Sequence, residues 1–127
     1  MTACPEQLCY DVMAQVCWLH DCTEDQVVTL DTLEAKFGGV VAYAVEQLSD
    51  MEAGNRAERK AASRERLSKA WAWVQTIKVA DIISNTAGIV LHDPKFAVMY
   101  LEEKRLLLDV LTRADPRLVA IARVQIA

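Results

Sequence analysis

At 127 residues, 53% apolar and 25% charged, with four glycines and three prolines, the chain has the size and composition of one folded domain. A disordered tail or a collagen-like repeat is excluded. Its 14 Lys+Arg stand against 18 Asp+Glu, a formal charge of −4, so nucleic acid is not expected as a partner and an anionic ligand would need a local basic patch. No apolar run approaches the roughly 20 residues that span a bilayer, and residues 1–20 lack a basic stretch followed by an apolar segment and a cleavage site. The expectation is a cytoplasmic protein without membrane contact.

Pro5 suits the first turn of a helix, and Leu8, Cys9, Val12, Val16 and Leu19 recur after it at three- or four-residue spacing, with His20 at the helix end. Cys4, Cys9, Cys17 and Cys22 are separated by four, seven and four residues, a spacing that argues against a structural zinc site and for reduced cysteines acting as small apolar side chains. Thr29 can cap a short helix from Leu30 to Phe37 that Gly38 and Gly39 close, and Val40, Val41, Ala44, Val45 and Leu48 form the next apolar stripe. Gly54 and Asn55 mark a break before Arg56 to Lys69, a segment rich in Ala, Glu, Arg and Lys that predicts a largely exposed helix.

Trp71 to Leu91 predicts a buried helix, because Trp73, Val74, Ile77, Ala80, Ile83, Ala87 and Val90 occupy more than one face. Asp93-Pro94 stops it and starts the next, Lys95 to Arg113, whose apolar positions are Phe96, Met99, Leu101, Leu106, Leu107, Val110 and Leu111. Asp115-Pro116 repeats the device for a last helix. With weak strand signals throughout, the reading is all-α: a single domain over residues 1–127, built as an array of five to seven helices.

The chemistry concentrates in two segments. Leu19 to Asp25 holds His20, Asp21, Glu24 and Asp25, one imidazole and three carboxylates within six residues. Such a donor set suits Mn, Fe, Zn or Mg-like cations, although a solvated acidic helix end would look the same. Thr76 to Asn85 places Lys78, Asp81 and Asn85 on one face of an otherwise apolar helix. A buried Asp needs a partner to offset its desolvation, and either a metal or a salt bridge to Lys78 would serve.

Together these residues resemble the HD-domain metal-dependent phosphohydrolases, and within them the alarmone hydrolases of the RelA/SpoT type. His20-Asp21 is similar to the HD signature, Glu24-Asp25 to the Glu-Asp pair that follows it, and Val28-Thr29-Leu30 through Phe37-Gly38 to the V-T-L…F-G stretch. Ile77-Lys78-Val79-Ala80-Asp81 is similar to I-K-L-A-D, with Asn85 at the downstream asparagine. The blocks stand in the family's order over roughly Leu8 to Val90.

The resemblance implies an HD-like helical array in which His20, Asp21 and Asp81 ligate Mn²⁺ or another divalent cation. It further implies that Glu24 and Asp25 position or deprotonate the attacking water and that Asn85 supports the site. The substrate it implies is a nucleotide with a 3′-pyrophosphate, such as (p)ppGpp. Arg56, Arg59, Lys60, Arg64, Arg66 and Lys69 fit that expectation, putting six of the 14 basic residues into 14 positions, offset by Glu58 and Glu65. Arg56, Arg59 and Lys60, together with Lys78, are the candidate substrate contacts. The alternative for this segment is a solvated face with i, i+4 pairs such as Glu65/Lys69.

The family also takes a first metal-ligating His from a helix upstream of the HD pair, whereas no His stands among the 19 residues before His20. The expectation is an N-terminally short HD array. His92 lies 11 residues beyond Asp81, about 16 Å along one helix. Cys17 shares the face of His20 and Asp21, with core packing as its ordinary role. The rival function is accordingly an HD-derived module that binds a nucleotide or protein without turning it over. A shortened array would also expose apolar helix faces, so self-association is expected.

Overall fold

The computed structural model describes Val16, residues 30–49 and residues 54–127. Those residues form six α-helices and no strand: α1 (Leu30–Phe37), α2 (Gly39–Leu48), α3 (Arg56–Ser68), α4 (Ala72–His92), α5 (Pro94–Val110) and α6 (Pro116–Ile126). None of them is long and apolar enough to cross a membrane.

Each boundary has a local cause. Gly38 alone separates α1 from α2: its φ of 92° lies in the left-handed region that a residue with a Cβ seldom enters. Its N–H donates to the Glu34 carbonyl at 3.0 Å while its own carbonyl accepts from Ala42 N at 3.1 Å. Gly39, expected to close α1, instead opens α2. Asn55 caps α3, its Oδ1 accepting from Glu58 N at 2.9 Å and its Nδ2 donating to Glu58 Oε1 at 3.0 Å, a reciprocal arrangement that satisfies an otherwise orphaned helix donor. At the starts of α5 and α6 a capping Asp precedes Pro at the first helical position. Asp93 Oδ1 accepts from Phe96 N at 3.2 Å and Asp115 Oδ1 from Arg117 N at 2.9 Å.

The central helix is α4, packed against α2, α5 and α6, while α3 bridges α2 and α5. Val74, Ile77, Val79 and Ile82 of α4 enter one core with Val41, Ala44, Val45 and Leu48 of α2, Leu67 of α3 and Leu107, Leu108 and Leu111 at the end of α5. Val16 and Leu33 are buried in the same cluster. As its composition predicts, α3 buries only Ser63 and Leu67.

Two expectations are corrected. Ala80 and Ala87, expected inside, are exposed, and Val90 is 45% exposed. For Ala87 and Val90 the reason is the placement of α6: Asp115 N donates to Thr76 Oγ1 at 3.0 Å and Gln125 Nε2 to the Ile83 carbonyl at 3.1 Å, so α6 runs beside residues 76–83 and leaves the last turns of α4 uncovered by it. Ala80 instead falls outside the buried Ile77, Val79 and Ile82 positions of α4. In α5 the buried stripe is Ala97, Tyr100, Lys104, Leu107 and Leu108, at helical spacing, and Met99 and Leu106 fall outside it with 45% and 37% exposure.

The turn between α5 and α6 is tied to α4 by side chains of adjacent residues. Gln75, fully buried, accepts from Arg113 N at 2.8 Å through Oε1 and donates through Nε2 to the Leu67 carbonyl at 2.9 Å. The same amide thus holds the end of α3 and the start of α6 against α4.

Candidate functional site

Residues three and four apart on a helix stand over one another, and α4 uses this spacing for a polar row in an apolar helix. Lys78 Nζ lies 3.4 Å from Asp81 Oδ2, and Asn85 Nδ2 donates to Asp81 Oδ1 at 3.0 Å. The Lys78 and Asp81 side chains are 15% and 29% exposed, so the pair sits at the edge of the core. The three residues share a face as predicted, and the salt bridge considered for Asp81 is formed. Beside them Tyr100 is buried. Burial pushes its hydroxyl pKa up against a hydrogen bond with Thr86, and the Asp81 and Glu103 carboxylates add to the rise.

The basic segment reaches the same place from the other side. Arg56 binds Glu103 at two points, Nε to Oε2 at 2.7 Å and Nη2 to Oε1 at 2.8 Å, with its guanidinium 5.0 Å from the centre of the Phe96 ring. Lys104, nearly buried at 9% exposure, places its ammonium 5.0 Å from the Tyr100 ring centre. For Glu103 burial is the largest single influence and raises the pKa. The hydrogen bond and charge of Arg56, with the charges of Lys60 and Lys104, together outweigh it and hold the carboxyl below its ordinary value.

Two openings share Lys60, Arg64 and Glu103. The inner one, bordered also by Ser63, Lys78, Lys104 and Leu107, has about 10 Å³ of free space, room for one water. The outer is a groove of about 300 Å³ between α3 and α5, bordered also by Arg56, Ala57, Met99 and Leu106, within the size range of small-molecule sites. Lys78 therefore belongs both to the polar row and to the basic cleft.

Not every cation of the segment faces it. Arg59 is exposed and borders neither opening. Arg66 donates to the Gln47 carbonyl at 2.9 Å and to Ser63 Oγ at 3.2 Å, tying α3 to the end of α2. Lys69 pairs with Glu65 at 2.8 Å on the surface, as the solvated-face alternative anticipates.

His20, Asp21, Glu24 and Asp25 lie outside the described residues, as do Cys4, Cys9, Cys17, Cys22 and Thr29. Among the described residues no three His, Cys, Asp or Glu side chains come together to hold a metal ion, and His92 is exposed at the end of α4. Asp81 is the one described member of the donor set that the HD resemblance implies. Its carboxylate fits a hard cation in chemistry: two oxygens offer about four lone-pair positions, and the 3.4 Å Lys78 contact is long for a charge-assisted bond.

Sequence reasoning did not single out Ser63, Arg64, Glu103, Lys104, Met99 or Leu106 as a site. The spacing 97, 100, 104, 107 already carried the signal for Lys104, since a lysine at a core register of an amphipathic helix is unusual. No protein-family model, curated protein or solved structure matches this chain.

Proposed function

We propose that this protein is a metal-dependent phosphohydrolase with an HD-like helical array, releasing pyrophosphate from a nucleotide that carries a 3′-pyrophosphate. The observation that carries the reading is the double placement of Lys78, which pairs with Asp81 at 3.4 Å and borders the inner opening with Lys60 and Arg64. A metal-ligand candidate and a set of phosphate-binding cations thus meet at one side chain.

In this reading His20, Asp21 and Asp81 hold Mn²⁺ or another divalent cation, which supplies Lewis acidity at the phosphoryl group. Glu24 or Asp25 takes the proton of the attacking water. Lys78 and Lys60 offset charge on the phosphoryl oxygens, and Asn85, bonded to Asp81 Oδ1, keeps that carboxylate oriented. The second reading, a nucleotide-binding module without turnover, has its own support: both Asp81 oxygens already have partners in Lys78 and Asn85.

The test is release of pyrophosphate from guanosine 3′-pyrophosphate compounds by Mn²⁺-loaded protein. Glu24→Gln should keep nucleotide binding and lose about 10²- to 10⁴-fold in rate, the usual contribution of a general acid or base. Binding without release by the wild type would leave the binding module standing. Neither binding nor release would remove both nucleotide readings.

A further inference from the structure

A separate groove lies where the turn between α5 and α6 meets the start of α4, with about 600 Å³ of free space, within the size range of small-molecule sites. Thr76 borders it, and Lys78, two residues on, stands about 200° further round the helix, so the groove is on the other side of α4 from the basic cleft that Lys78 borders. Its frame is fixed: Gln75 Oε1 accepts from Arg113 N at 2.8 Å and Thr76 Oγ1 from Asp115 N at 3.0 Å, and Trp73 stacks on Trp71 with ring centres 5.7 Å apart. A pre-organised site loses less freedom when a ligand enters.

The groove has an apolar floor and a charged rim. Ala72, Trp73, Ala114 and Pro116 form the floor, where two methyl groups and a proline ring make a shallow surface that suits a flat ring. At the rim Arg117 and Asp115 engage each other, Nε to Oδ1 at 3.3 Å and Nη2 to Oδ2 at 3.1 Å. Arg113 is exposed, and its guanidinium has no ion-pair or hydrogen-bond partner among the described residues. Two arginines and one aspartate leave a formal charge of +1 here, in a chain of −4. One free guanidinium fork matches one carboxylate at two points, whereas a doubly charged phosphate monoester would meet the Asp115 carboxylate. Trp73 adds a second polar feature: it is 7% exposed, and its Nε1 is buried without a hydrogen-bond partner, a donor whose missing acceptor is costly.

We infer that this groove binds a monocarboxylate with a flat apolar body, its carboxylate on the Arg113 guanidinium and the Trp73 N–H and its body across Ala114 and Pro116. The site uses neither a metal nor a nucleotide and is independent of the hydrolytic reading. Charge and body both contribute, so a ligand that lacks either one binds more weakly than a ligand that has both.

The experiment follows the indole N–H resonances of Trp18, Trp71 and Trp73 in heteronuclear NMR spectra of the full chain, assigned by through-bond correlation, while phenylacetate is added. The Trp73 resonance should move saturably to lower field as its N–H gains an acceptor. Acetate, which lacks the body, and phenylacetamide, which lacks the charge, should each bind about tenfold more weakly. Arg113→Gln, at an exposed position where the fold tolerates it, should weaken phenylacetate by about tenfold and leave phenylacetamide unchanged. A Trp73 resonance that does not move, equal affinity for phenylacetate and either analogue, tighter binding of phenyl phosphate, or phenylacetate affinity unaffected by Arg113→Gln would each overturn the inference. Arg113 borders neither opening of the basic cleft, so absence of pyrophosphate release by Mn²⁺-loaded protein would count against the hydrolase reading alone.

Discussion

Arg56 and Glu103, 47 positions apart in the chain, are joined by two parallel hydrogen bonds of 2.7 and 2.8 Å that close α3 onto α5. One of the residues that sequence alone marks as phosphate contacts is thus already committed to a carboxylate, with its guanidinium over Phe96. Both partners border the groove that Lys60 and Arg64 line.

Glu103→Gln should lower stability by about 1–2 kcal/mol at pH 7, the range for a charge-assisted bond discounted for the one-third exposure of Arg56. The pH dependence has a definite sign. The Glu103 pKa is held below the ordinary 4.5, so the pair stabilises the fold above that value and its contribution fades as pH falls below it. Urea titrations of wild type and variant should differ at pH 7 and converge towards pH 3. An equal difference at both pH values would show that the carboxylate charge is not what matters.

Gln75→Leu should cost about 2–3 kcal/mol. The substitution leaves the Arg113 N–H without its acceptor and the Leu67 carbonyl with the Ala70 N–H at 3.1 Å in place of two donors, and an unsatisfied buried polar group costs more than the bond it loses. Thermal melting with the circular dichroism of the native state would report it, and a change under 0.5 kcal/mol would mean that water replaces the amide freely.

Gly38→Ala and Gly39→Ala should move stability in opposite directions. Among the described residues nothing beyond the adjoining backbone lies within 4 Å of a Cβ at either position, so backbone conformation decides. At Gly38 the positive φ makes alanine unfavourable by about 1 kcal/mol, whereas at Gly39, the first residue of α2, alanine is favourable by a few tenths up to about 1 kcal/mol. Chemical denaturation of the two variants side by side checks the sign.

Arg59→Ala should leave nucleotide affinity unchanged, and Lys60→Ala should reduce it, with the reduction shrinking as salt rises. The contrast follows from exposure of Arg59 away from the openings and the place of Lys60 in both. Equal losses in the two variants would return α3 to the role of a general cationic surface.

Helix content and order were legible in the sequence because their signals are local. The Asp93-Pro94 and Asp115-Pro116 pairs start helices where predicted, Gly38 and the Asn55 cap separate neighbours, and the Lys78, Asp81, Asn85 row follows from the helical period. The tertiary structure decided which cations border the openings and which apolar residues are hidden. Arg56, Arg59, Lys60, Arg64, Arg66 and Lys69 are alike as sequence, yet one is paired to Glu103, one to Glu65, one to the Gln47 carbonyl and one is exposed outside the cleft, while Lys60 and Arg64 border it. Likewise the spacing of α5 puts Lys104 at a core register but cannot say that Met99 and Leu106 line a groove. Those outcomes depend on where α3 and α6 lie against α4 and α5, and contacts between residues distant in the chain have no local periodic trace.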